Sequence, residues 1–292
     1  MMKIRTITDG DITALKNLWY ECFIANESID DTDYLANDSK DSIDYYLTHY
    51  LDMNNTFVLT VNNEVKSSLV LAQHELYFNG SYEKVSFVSW VATQPQARGL
   101  GYMRALMEHA ITYAKVNLKQ NFLIIQAYDW DLYKRFGFVE AYYKSKNNIN
   151  LDDLLSNEIV ALQPNDSANL LAIYENYTKE LTGYVLRNTA YYDKLVPYLA
   201  LDGTMLASTN EAYCFYNVAG DVLMINECAF INKMSLLNLI RTIIADREIN
   251  YIEVLSDTYN FKTNNKELVM MIKSLTKNKF ISAERNYISE NI

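Results

Sequence analysis

Val91-Ala92-Thr93-Gln94-Pro95-Gln96-Ala97-Arg98-Gly99-Leu100-Gly101 is the stretch that decides how this sequence reads. Residues 85–93 are apolar and β-prone, and the run stops at Gln94-Pro95. Two glycines then open a segment with Leu100, Met103, Leu106, Met107, Ala110, Ile111 and Ala114 at helical spacing, which predicts a helix over about 99–118. A helix start of this kind is an anion site. Its first-turn N–H groups have no intrahelical partners, and the helix dipole favours negative charge there. Glycines let the backbone approach a bulky pyrophosphate, and Arg98 adds a fixed charge. No Gly-Lys-Ser/Thr follows, so the loop is not of the Walker type. The third glycine of a dinucleotide fingerprint is also missing. Two glycines serving a tight turn is the plainer reading, and the complete strand–Pro–Arg–Gly–x–Gly–helix arrangement weighs against it.

Upstream, the pattern predicts a strand over 4–7, then a helix capped by Asp9 or Asp11 that runs to about residue 23. The acidic, polar residues 27–41 read as a loop, and a helix through Tyr45, Tyr46 and Tyr50 follows. Strand-like runs occupy 56–61, 65–76 and 85–93, with turn signals at Asn62-Asn63 and Asn79-Gly80. Downstream come a buried strand over 122–127, a short helix over 130–135 and a strand over 138–143. The polar residues 147–157 read as a linker. After it the order recurs: a strand over 159–162, a helix through 170–174 and another near 191–201, strands at 204–207, 212–217 and 222–230, a helix through 236–243 and a strand at 251–255. Both halves mix α and β with runs of adjacent strands, which points to α+β domains with mixed sheets, residues 1–150 and 151–292.

The bulk numbers fit that division. A chain of 292 residues is comfortable for two domains. The net charge of −10 argues against nucleic-acid binding and is compatible with a cationic amine partner, although an acidic surface is more often simple solvation. Cys22, Cys214 and Cys228 show no CxxC spacing and form no cluster with His49, His74 or His109, so neither disulfides nor a metal site is expected. The N-terminus carries no apolar run behind its basic residues, and no stretch has the ~18 apolar residues a membrane span needs. A cytoplasmic protein is the expectation.

The Gln96–Gly101 loop resembles the Gln/Arg-x-x-Gly-x-Gly/Ala pyrophosphate loop of the GCN5-related N-acetyltransferases (GNAT). Tyr133-Lys134-Arg135-Phe136-Gly137-Phe138 is similar to the family's Tyr-x-x-x-Gly-Phe segment, at the family's spacing. The resemblance implies direct acetyl transfer from acetyl-CoA to an amine on a small molecule or peptide, with no metal. It implies that Val91, Ala92 and Thr93 pair with pantetheine. Gln96, Arg98, Gly99, Leu100, Gly101 and Tyr102 would hold the pyrophosphate, and Arg104 would face the 3′-phosphate. Tyr133 would be the general acid that protonates the leaving thiolate. A complete first domain followed by one lacking the loop resembles the enhanced-intracellular-survival (Eis) type, and Arg187, Tyr191-Tyr192 and Glu227 are similar to that type's middle domain. That type adds a sterol-carrier-like third domain and uses a chain-end carboxylate; a chain stopping at Ile292 is expected to lack the third domain, and the role of its own chain-end carboxylate stays open.

The other residues weigh less. His74, Glu75, Ser89 and Trp90 are candidates near a base and are more often structural. His109 reads as a surface residue, Asp129 and Asp131 as caps, Lys134 and Arg135 as exposed. Tyr191, Tyr192, Tyr213 and Tyr216 read as core before pocket wall. A CoA-binding sensor or scaffold without turnover is the alternative outside enzymology.

Overall fold

The computed structural model describes residues 1–24, 38–127, 129–257, 260–261, 265–277, 286 and 288. Most of the loop expected at 27–41 lies outside these residues, as does the chain end. The first half runs β1 (Met2–Thr6), α1 (Ile12–Trp19), α2 (Lys40–His49), β2 (Thr56–Val61), β3 (Glu64–Phe78), β4 (Ser81–Thr93), α3 (Tyr102–Val116), β5 (Phe122–Ile125), α4 (Trp130–Lys134) and β6 (Val139–Ile149). The second runs α5 (Leu151–Leu154), α6 (Ser167–Thr178), β7 (Tyr184–Val185), α7 (Thr189–Leu201), β8 (Met205–Ser208), β9 (Ala212–Ala219), β10 (Val222–Phe230), α8 (Lys233–Ile244), β11 (Tyr251–Asp257) and β12 (Lys266–Ser274).

Local chemistry explains most boundaries. Asn62 and Asn63 take φ of 51° and 68°, and Asn79 and Gly80 take 47° and 86°, so both hairpins turn through the left-handed region that Asn and Gly tolerate. Asp11 accepts two hydrogen bonds from Arg5 and one from the Thr8 hydroxyl, which ties β1 to the entry of α1. Beyond Trp19 the helix widens into a π-helix over Tyr20–Ile24. The expected helix over 99–118 begins only at Tyr102, because Gly99 and Gly101 sit at φ of 80° and 81°.

The strands form one mixed sheet in the order β1-β2-β3-β4-β5-β12-β6-β11-β10-β9-β8, with β7 added to β3. It reads nearly alike from either end. Each half brings an antiparallel run to a parallel pair, β4 with β5 and β10 with β11, joined through α3 or α8. The centre is exchanged. β12, from the end of the chain, lies between β5 and β6 (Met271 opposite Ile125, Leu268 opposite Tyr143), and β6 pairs with β11. The buried face of α3, Leu106, Met107, Ala110 and Ala114, packs on Phe57, Leu59, Leu69, Leu71 and Val88, and Met271 of β12 joins the same cluster. Each fully buried Leu there contributes roughly 1.5–3 kcal/mol.

Three sequence expectations are corrected. Residues 159–162 form no strand: Ile159 and Leu162 are 62% and 50% exposed, and the segment is tied only by Val160 N–H to Thr242 and Gln163 N–H to Ser208. The linker does not start at 147, because Asn147, Asn148 and Ile149 belong to the β6–β11 ladder; polar residues suit a strand whose energy comes from main-chain pairing. His109 is not a surface residue, since its half-buried ring lies 5.1 Å from that of Phe57.

A candidate cofactor cavity at the start of α3

β4 and β5 pair only at Ser86–Val88, yet β4 continues to Thr93. Beyond Val88 the two strands part, and among the described residues the β5-facing edge of residues 89–93 has no strand partner. The gap is a cavity of about 620 Å³, lined by Val91, Ala92, Thr93, Arg98, Gly99, Gly101, Tyr102, Arg104 and Tyr133, together with Cys22, Phe23, Ala97, Met103, Leu132, Arg135 and Phe136. The structure thus brings nine of the eleven residues expected of the site to one wall. Of the other two, the Gln96 side chain donates to Glu21 Oε1 at 3.3 Å and Leu100 is 63% exposed; both can reach the cavity only through their backbone.

The start of α3 is left open. No side chain caps it, and its first return bond runs from Ala105 N–H to Gly101 C=O at 3.0 Å. A Cβ added at Gly99 or Gly101 would meet nothing within 4 Å. The glycines are therefore needed for their positive φ, and the space beside them is free for a ligand. Arg98 Nε reaches the Thr93 carbonyl at 3.4 Å. Arg98, Arg104 and Arg135 are the charged lining residues, and no carboxylate or histidine is among them. In a protein of net charge −10 this is a local positive mouth suited to an anion. Arg135 is exposed as expected, but its place on the wall was missed, because a basic residue after Tyr133 carries no signal of direction in the sequence.

Asp129 caps α4 through the N–H groups of Asp131 and Leu132 at 3.1 and 3.2 Å, and so sets Tyr133 facing the cavity. Asp131 is no cap; it pairs with Lys134 at 2.8 Å. Tyr133 is 9% exposed and packs edge-on to Phe138. Burial first, and then the Asp129 charge, push its phenol up to about 12. The phenol therefore stays protonated, and able to donate, throughout the physiological range. Cys22 also lines the wall, its thiol directed at the Thr93 carbonyl (3.4 Å) and held above the ordinary thiol range by burial.

His74 and Glu75 lie at the far end of the β3–β4 hairpin, opposite Val85 and Lys84, away from the cavity. Trp90 is 8% exposed and stacks on Trp19, so it is packing rather than cleft lining. In the second half Tyr192 and Tyr213 are buried around a bidentate Arg187–Glu227 pair at 2.6 and 3.1 Å. Tyr174 and Tyr191 add ring faces 4.1 and 4.8 Å from the guanidinium. Burial alone would raise the Glu227 carboxyl; the Arg187 charge and hydrogen bonds outweigh it and hold it low. Tyr216 lines an open groove near α7 and β8. No group of three or more His, Cys, Asp or Glu that could hold a metal occurs among the described residues, and no helix among them is long and apolar enough to cross a membrane.

Comparison with known proteins agrees with this geometry. Residues 3–141 match the acetyltransferase (GNAT) domain. No curated protein sequence matches the chain. Among solved structures, a GCN5-related N-acetyltransferase from Anabaena variabilis superposes with a TM-score of 0.71 at 16% identity, over 94% of this chain and 73% of its own. Eis1 from Mycobacterium abscessus gives 0.66 at 14% identity, over 94% and 74%. A tandem GNAT protein from the clavulanic acid biosynthesis pathway gives 0.55 at 11% identity, over 96% of this chain and 100% of its own. Residues 3–141 match the GNAT acetyltransferase domain, and from end to end the chain has the fold seen in Eis1 and in the tandem GNAT protein.

Proposed function

We propose that acetyl-CoA binds in the first-half cavity and that its acetyl group passes directly to a primary amine. The observation that carries this reading is convergence: the parted edge of β4, the uncapped start of α3 and the Tyr133 phenol all open on one cavity of about 620 Å³. The backbone edge of Val91–Thr93 suits the amides of pantetheine, as an added strand would. The amides from Gly99 to Arg104, with Arg98 and Arg104 beside them, suit the phosphates. Tyr133 then donates to the sulfur as negative charge develops there. Residues 1–150 and 151–292 are taken as two GNAT-like units, only the first with a cofactor loop, even though β12 crosses into the first.

With its phenol at about 12, well above a thiol near 8.5, Tyr133 acts by hydrogen-bonding the departing sulfur before the proton moves. Among the described residues no carboxylate or histidine lines the cavity, and on this reading the acceptor arrives neutral or loses its proton to water. The experiment is acetyl-CoA turnover against a panel of small-molecule and peptide amines, read by thiol release. The rising limb of kcat/KM with pH should track each acceptor's own pKa, near ~10.4 for a lysine-like amine. Tight acetyl-CoA binding without turnover on any amine would sink the transferase reading and leave a sensor.

A further inference from the structure

Trp90 has φ of 51°. For a bulky side chain the left-handed region is rare and costs on the order of 1–3 kcal/mol, and it persists only where neighbours hold it in place. It occurs at a β-bulge. Val70 faces Ser89 and Ser68 faces Ala92, so Trp90 and Val91 together oppose Leu69. The bulge lies just past the last β4–β5 pair and directly before the residues that wall the cavity.

One residue of α1 grips it twice. Trp19, wholly buried, donates from Nε1 to Ser68 Oγ at 2.9 Å, and Ser68 Oγ donates to the Trp90 carbonyl at 3.2 Å. The same indole stacks on the indole of Trp90, centroids 4.4 Å apart and planes 19° from parallel. Tyr46 of α2 packs on both rings, and Phe23, itself on the cavity wall, meets Trp90 edge-on. The relay fixes the carbonyl and the stack fixes the side chain, which leaves the peptide into Val91 little freedom.

We propose that Trp19, acting through Ser68, is a positioning residue for acetyl transfer: it sets the β4 bulge and thereby the direction in which the Val91–Thr93 edge meets the thioester. This rests on the acetyl-CoA reading of the cavity. Neither residue touches the substrate, so their loss should appear in kcat and not in cofactor affinity.

The test uses the full chain with Ser68→Ala, Ser68→Thr and Trp19→Phe. Ser68→Ala deletes the relay at nearly constant volume, Ser68→Thr restores a hydroxyl, and Trp19→Phe keeps a stacked ring without the donor. Calorimetry with CoA and single-turnover acetyl transfer are measured on each, after circular dichroism has confirmed folding. Ser68→Ala and Trp19→Phe should lower the single-turnover rate about tenfold with CoA affinity within about twofold of wild type, and Ser68→Thr should recover most of the rate. A wild-type rate in Ser68→Ala, or equal damage in Ser68→Ala and Ser68→Thr, overturns the positioning role. A wild type that binds no CoA overturns the underlying reading as well, so the two failures are told apart. Should Trp19→Phe fail to fold, the Ser68 pair decides alone.

Discussion

The starts of α3 and α8 occupy matching places in the two halves, each coming after a strand that has just left its parallel partner. Both strands bulge there, β4 at Trp90 and β10 at Asn226. The two helix starts are built differently. α3 begins behind two glycines with no capping side chain. α8 begins with Asn232 and Ser235 in a capping box, in which Asn232 Oδ1 takes the Ser235 N–H at 3.0 Å. The first-turn groups that α3 leaves without a capping side chain, α8 satisfies with its own. The bulges diverge too. The Trp90 carbonyl is held by Ser68 beside an uncharged aromatic box, whereas the Asn226 carbonyl takes Lys144 Nζ at 3.1 Å, next to the buried Arg187–Glu227 pair. A single topology thus carries an open, glycine-led helix start beside a cavity in one half and a capped helix start in the other.

The largest effect should come from opening the closed half. Glu227→Gln removes the charge that compensates Arg187, whose side chain is fully buried, and should cost about 3–5 kcal/mol in denaturant unfolding. A loss under ~1 kcal/mol would mean that the second half is not held by this pair. Next is the open half. Gly99→Glu or Gly101→Glu places a carboxylate in the free space at φ near 80°, and should weaken acetyl-CoA binding by at least about 100-fold, roughly 2.7 kcal/mol. Gly101→Ala, which carries only the backbone strain, should lose far less. Equal losses in the Ala and Glu variants would show that conformation alone, and not the anion site, distinguishes the two starts.

Tyr133→Phe should slow single-turnover transfer about 100-fold with acetyl-CoA affinity nearly unchanged. With the wild-type phenol at about 12, no descending limb from Tyr133 should appear below roughly pH 10. Smallest is the cap. Asn232→Ala should cost about 1 kcal/mol of stability and leave calorimetric stoichiometry at one CoA per chain. Two CoA per chain, in wild type or in this variant, would erase the contrast between the halves.

Where the signal was local, the sequence was readable. Paired asparagines marked hairpins, and a glycine pair after a strand marked the cavity. Nine of the eleven residues that the resemblance singled out, Tyr133 among them, line one cavity. What stayed hidden was long-range. Nothing in Lys266–Ser274 says that its ladder partners are Phe122–Ile125 and Val139–Ser145, more than a hundred residues upstream. The pKa of Tyr133 and the grip of Trp19 on Trp90 likewise depend on burial between distant elements. The false strand at 159–162 is the converse case: its apolar residues had the right composition, but Ile159 and Leu162 face solvent and the segment joins no ladder among the described residues.

The exchange of β6 and β12 also bears on descent. In a chain whose halves were merely tethered, a second domain without a cofactor loop could be lost by truncation at little cost. Here the last strand of that domain is sandwiched inside the first, where Met271 and Leu275 share a cluster with Tyr133 and Phe138. Deleting the second half would strip β5 of its neighbour and expose the floor beneath the phenol. Selection for the first half's chemistry is therefore enough to preserve the second, whether or not it binds anything of its own.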